Sequence, residues 1–123
     1  MEPHKLIGLP YRLGADPERH HATDCLGLVR AVLHHHGIAT PTPQRAWYRR
    51  LRQGDHSVFR EELERWGAQV AEPRLVTVAL CRSDLGLGLA VTFADGWLCF
   101  RETTVQWSPL GALLVQGLYS PLR

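Results

Sequence analysis

The sequence predicts a single α+β domain spanning residues 1–123, with helices in the N-terminal half packed on an antiparallel sheet from the C-terminal half. Three observations predict it. Residues from about Thr23 to His36 repeat apolar side chains at helical spacing. Beyond Gly67 the chain turns to β-branched and aromatic runs separated by turn residues. Composition is that of a folded chain, at 45% hydrophobic and 21% charged residues over 123 positions, enough to bury a core without disulfides.

Each element has its own signal. Residues 8–22 read as a loop, punctuated by Gly8, Pro10, Gly14 and Pro17, with Asp16-Pro17 as a turn. Thr23 or Asp24 caps the following helix and Gly37 ends it. Leu26, Val29 and Leu33 form its apolar stripe, widened by Leu28 and Val32. Pro41 and Pro43 stiffen the connection to two short helices, near Arg45–Arg52 and Ser57–Trp66, bounded by Gly54 and Gly67. Leu75–Cys81 and Leu87–Phe93 read as strands. Ala94-Asp95-Gly96 is a hairpin turn, and Trp97–Arg101 is the returning strand. Thr104–Trp107 and Leu113–Tyr119 complete the sheet.

Charge and composition exclude several functions. A net charge of +2 is too small to imply a nucleic-acid partner, and none is expected; Lys5 is the only lysine. No apolar run approaches the ~20 residues of a membrane span. Met1–Lys5 lacks the apolar stretch of a secretory signal. Cys25, Cys81 and Cys99 are an odd number at unpatterned spacing, which fits a reducing compartment better than a disulfide framework. Without a C-x-x-C or H-x-x-x-H pair, no metal or other cofactor is expected, and His34–His36 read as a solvated helix end.

The chemistry-bearing stretch is Asp24-Cys25-Leu26-Gly27-Leu28-Val29-Arg30. A helix N-terminus stabilises a thiolate, and the thiolate is the nucleophile. Together with Gly8-Leu9-Pro10-Tyr11-Arg12-Leu13-Gly14 and Gly37-Ile38 before Pro41, this stretch resembles the NlpC/p60 family of papain-like cysteine peptidases. The likeness covers residues 7–43 and is closest to the branch found in phage tails and gene-transfer particles. It implies a papain-like fold, Cys25 as nucleophile or its relic, Asp24 at the helix start and Tyr11 in the cleft. It also implies a general-base histidine opening a central strand and a third polar residue on the next strand. Those positions fall on Gly88 and Phe100, and no histidine occurs after His56.

Substitute bases are few. His34, His35 and His36 lie roughly 13–16 Å along the helix from Cys25. His20 and His21 precede the helix and can fold back towards the thiol. Asp84 and Asp95 are weak bases for a thiol. The expectation is therefore a catalytically degenerate domain in a phage tail tip or baseplate, assembled in the host cytoplasm, with other tail or baseplate proteins as partners. An active cell-wall cysteine peptidase or amidase, using Cys25 with His20 or His21 as an unconventional base, is one alternative, and the bacterial cytoplasm is the alternative location. A pseudoenzyme whose cleft holds a peptidoglycan peptide is the other. The expected partner contact is Trp47, Tyr48, Arg49, Arg50 and Arg52, because Trp, Tyr and Arg are enriched at interfaces. Trp47 as core, with solvated arginines, is the competing reading. Cys81 and Cys99, in apolar strands, read as small core hydrophobes.

Overall fold

The computed structural model describes residues 1–83 and 86–121. A 3-10 turn at Pro3–Leu6 precedes α1 (Pro17–His20), α2 (Cys25–His35), α3 (Arg45–Arg52) and α4 (Ser57–Trp66). The strands follow as β1 (Ala68–Val70), β2 (Val78–Ser83), β3 (Gly86–Phe93), β4 (Gly96–Arg101), β5 (Thr104–Pro109) and β6 (Leu114–Ser120). They form one six-stranded sheet in the order β1-β6-β2-β3-β4-β5, with every neighbouring pair antiparallel. The α+β organisation follows the order in which helical and strand periods occur along the chain.

Strand alternation divides the apolar side chains between two faces. Val78, Leu80, Leu89, Val91 and Leu98 join Leu28, Val32 and Leu33 of α2 in the main core. Ala79, Ala90, Trp97 and Cys99 form a smaller cluster, with Leu113 and Leu118 packed on it. The Trp97 indole N–H is satisfied by the Leu110 carbonyl at 3.1 Å.

Two details of the sheet differ from the sequence reading. The strand expected from Leu75 begins at Val78, and Leu75 is 83% exposed. The Thr77 N–H donates to the Thr92 hydroxyl at 2.9 Å and the Arg74 N–H to the Thr77 hydroxyl at 2.8 Å, so side chains supplement the one backbone bond, Thr92 N–H to the Thr77 carbonyl, that holds this segment to β3. The short strands and helices β1 and α1 lie in stretches read as connections, because three or four residues carry no period.

Two features open a notch between β3 and β4 and hold the start of α2 beside it. The β3–β4 ladder runs only over Val91↔Leu98, Thr92↔Trp97 and Phe93↔Gly96, so the first half of β3 diverges from β4. Along the other side of the sheet, residues 8–11 cover the β5 edge. Gly8 N–H donates to the Val105 carbonyl (2.8 Å), Val105 N–H to Leu9 (3.0 Å) and Tyr11 N–H to Thr103 (2.8 Å). The same loop holds the start of α2, through Thr23 N–H to Pro10 and Arg12 N–H to Thr23, each at 3.0 Å.

Candidate functional site

Cys25 opens α2, and Asp24 is its N-cap. The Asp24 side chain is buried and accepts from the N–H groups of Gly27 and Gly14, each at 2.7 Å. One carboxylate thus ties the helix start to the preceding loop. Burial raises the Asp24 carboxyl above its usual range, against the opposing pull of those two N–H groups. Gly27 is needed for the close approach, since a Cβ there would stand 2.5 Å from the Thr23 hydroxyl oxygen.

The cysteine enters the gap where β3 leaves β4. N–H directions alternate along a strand. Thr92 N–H points to β2, bonding the Thr77 carbonyl at 3.0 Å, so Leu89 N–H points to the β4 side. There it donates to the Cys25 sulfur in place of a strand partner. The next residue back, Gly88, has no side chain, and a Cβ there would lie 3.7 Å from Sγ. The position expected to carry an imidazole therefore does face the thiol, and it is a glycine.

The electrostatics keep the thiol neutral. Burial pushes Cys25 up to about 12; Leu89 N–H opposes this, while Asp24, Cys81 and Cys99 add to it. No imidazole is among the groups acting on the sulfur among the described residues. A thiol so placed is a weak nucleophile, because at neutral pH almost none is thiolate. The helix N-terminus, taken from sequence as activating, is outweighed by the loss of water.

Aromatic residues flank the notch. Tyr11 is 47% exposed and meets Phe100 edge-to-face, with ring centroids 5.1 Å apart. The Tyr11 phenol is raised to about 12, first by burial and then by Cys25, Asp24 and Tyr48. Tyr48 is raised to about 12 by burial and then by Asp24, with Arg30 opposing. Two phenols thus feel the same buried acid beside the thiol. Phe100 packs against the Tyr11 ring and has no polar atom to orient a base.

The substitute bases are placed elsewhere. His20 is exposed, and its Nδ1 accepts the Asp16 N–H at 2.8 Å. His21 is exposed at the left-handed end of α1, with φ 51°. Asp95 is exposed in the β3–β4 turn, and Asp84 lies outside the described residues. The histidine that sequence reasoning missed is His56. Its Nδ1 lies 2.9 Å from where a Cβ on Gly86 would stand, two residues along β3 from Gly88. Its spacing from Cys25 gives no hint of this, because only the fold of α4 onto β3 brings them to one strand.

The expected partner contact divides. Trp47 is 6% exposed and belongs to the core, which removes it as an accessible anchor. Tyr48 is half-buried against the same core and feels the charge of Asp24. Arg50 is engaged within the chain, with Nε to Asp55 at 2.8 Å and a guanidinium nitrogen to Glu61 at 2.6 Å. The Ser57 hydroxyl and Arg50 hold Asp55 down to about 2. Arg49 and Arg52 are exposed.

The other sulfurs gather near the notch. Cys81 pairs with Gly88 across the β2–β3 ladder, its Sγ 3.6 Å from the Gly88 carbonyl. Cys99 is buried 3.7 Å from the Ser108 hydroxyl. Among the described residues no three His, Cys, Asp or Glu groups are placed to hold a metal ion. No helix is long and apolar enough to cross a membrane among the described residues. A scan of protein-family models finds none that matches this chain, and a search of curated proteins finds no match.

Proposed function

We propose that this chain is a catalytically silent relative of the NlpC/p60 cysteine peptidases, serving as a structural and docking component of a phage tail tip or baseplate. The carrying observation is the pairing of Cys25 with Gly88, a thiol facing a residue that has no side chain. Amide hydrolysis by a thiol needs a base to make the thiolate and an acid to protonate the leaving amine. Here the groups around the sulfur favour the neutral thiol, and neither proton-transfer role has an occupant on β3 or β4. In this reading Asp24, Gly27 and Tyr11 persist because they hold the first turn of α2 against the sheet. Assembly takes place in the host cytoplasm, and the mature location is the virion tail.

A second reading keeps the cleft as a binding site for a peptidoglycan stem peptide. The observation favouring it is the aromatic wall of half-exposed Tyr11 on Phe100, with Tyr48 beside the same acid. Aromatic surface binds peptide without any catalytic group.

The deciding experiment compares purified protein with its Cys25→Ala variant on peptidoglycan stem peptides. Silence predicts no cleavage above the variant, and mass spectrometry of purified particles should then find the chain in the tail. Cys25-dependent turnover would overturn the proposal. Absence of cleavage combined with saturable peptide binding, lost in Tyr11→Ala, would favour the second reading.

A further inference from the structure

Arg45, Arg49 and Arg52 are exposed and stand at i, i+4 and i+7 of α3, along one face of the helix. Seven residues of helix spread this stripe over ~10 Å. None of the three enters an ion pair among the described residues. The acids that follow α3 are already engaged: Asp55 and Glu61 both turn to Arg50, at 2.8 and 2.6 Å. The stripe is therefore left without a counter-charge from its own neighbourhood.

The stripe also works against the helix that carries it. Arg45 is the first residue of α3, where the helix dipole disfavours a cation. No acid stands in the first turn, and the Gln44 side chain gives no cap. Arg45 with Arg49, and Arg49 with Arg52, are like-charge neighbours that repel. Several local rules broken together on one exposed face mark a surface kept for contact rather than for stability.

We propose that this face of α3 docks an acidic segment of a partner polypeptide, whose carboxylates pair with Arg45, Arg49 and Arg52. Carboxylates laid there relieve the repulsion along the stripe and supply the negative charge missing from the first turn. The guanidinium fork matches a carboxylate with two parallel hydrogen bonds, a geometry that lysine lacks. A partner helix with acids at the same spacing meets all three cations at once. Ala46 and Gln53, both exposed, flank the stripe without adding charge. A nucleic acid fits less well. The stripe is short, and beyond its end Asp55 and Glu61 carry more charge than Arg50 alone offsets, so a longer polyanion meets repulsion there.

That the acidic segment belongs to an assembly partner rests on the docking reading above, while acid recognition by the stripe does not. The test uses the isolated chain and two alanine-based helical peptides, one with glutamate at i, i+4 and i+7 and the other with glutamine at the same positions. Binding is followed by the backbone N–H resonances of α3. The glutamate peptide is expected to bind saturably and about tenfold more tightly than the glutamine peptide, the sum of three modest exposed ion pairs. The preference should vanish in about 0.5 M salt. It should also vanish in the triple variant Arg45→Gln, Arg49→Gln, Arg52→Gln, which should unfold at no lower temperature than the parent. Arg19→Gln, Arg74→Gln, Arg82→Gln, which removes equal charge from other exposed positions, should keep it. Equal binding of the two peptides, no binding of either, a preference that survives in the stripe variant, or tighter binding of an oligothymidylate of equal charge would each overturn the proposal. Failure here with Cys25 still inert would leave the docking reading in place without this surface. Success here with Cys25-dependent cleavage would keep the surface and remove that reading.

Discussion

Sγ of Cys25 lies 3.7 Å from the point where a Cβ on Gly88 would stand. That is ordinary van der Waals contact, so the notch accepts a small side chain without moving the helix. Gly88→Ala should leave the fold intact and stabilise it by about 0.4–1 kcal/mol, because alanine restricts the unfolded chain more than glycine does. Urea unfolding of the two proteins measures this. A loss of more than about 1 kcal/mol would mean that the notch is tighter than the geometry indicates.

Gly88→His tests the chemistry of the same contact. An imidazole on that Cβ comes within reach of the sulfur and should raise the alkylation rate of Cys25 at neutral pH. Peptide cleavage should still be absent, because Phe100 leaves the imidazole without an orienting acceptor and such groups act as a unit. Robust turnover by this single variant would show that the orienting residue is dispensable.

Asp24→Ala should cost about 2–3 kcal/mol, combining a lost helix cap with an unsatisfied Gly14 N–H. Asp24→Asn keeps the acceptor for Gly27 and loses the one for Gly14, so its loss should be near half of that. Chemical denaturation of both variants checks the order. Equal losses would mean that the charge itself, rather than the acceptor geometry, holds the turn.

Trp47→Ala should destabilise by about 3–5 kcal/mol, as for a large aromatic taken from a core. Arg49→Ala should change stability by no more than about 0.5 kcal/mol. Thermal unfolding separates a core role for Trp47 from an interface role, since an interface residue would leave the isolated chain unaffected.

Stability should fall in alkali. Cys25 and Cys81 are raised to about 12 and about 11 from 9.0, and Tyr11 and Tyr48 to about 12 from 10.0. In each case the folded state favours the protonated form more than the unfolded state does. That stability is fully present below the unfolded value and is lost as pH climbs from about 9 to about 12, by well under ~1.4 kcal/mol per pH unit for each group because all four are partly exposed to solvent. The half-exposed Tyr11 contributes least. Urea midpoints across this window should decline, and Cys25→Ala should decline less steeply. A flat profile would contradict the burial of these groups.

Much of this arrangement was legible in the residues. Pro43 before α3, Gly54 after it and Gly67 after α4 bound helices that run over Arg45–Arg52 and Ser57–Trp66, as read from the sequence. Asp24 before Cys25 marked the cap. The opening between β3 and β4 was not legible, because it depends on where a ladder stops and no residue type announces that. The thiol's raised pKa follows from the same opening, since burial outweighs the helix start only once the sulfur is inside it. Tyr48 and Trp47 are adjacent on one short helix, and its pattern does not say which of them turns to the core. Glu62 sits in the run Glu61-Glu62-Leu63-Glu64, which reads as a solvated acidic face until packing buries one of the three acids.

The central claim is that Cys25 is an unactivated, partly buried thiol, and its ionisation tests this most directly. The measurement is the ultraviolet absorbance of the thiolate against pH, in a Cys81→Ala, Cys99→Ala background, with the Cys25→Ala triple variant as the blank. The predicted midpoint is well above the ordinary thiol value, towards about 12. A midpoint at or below about 8.5 would show a thiol activated for nucleophilic attack and would contradict the account.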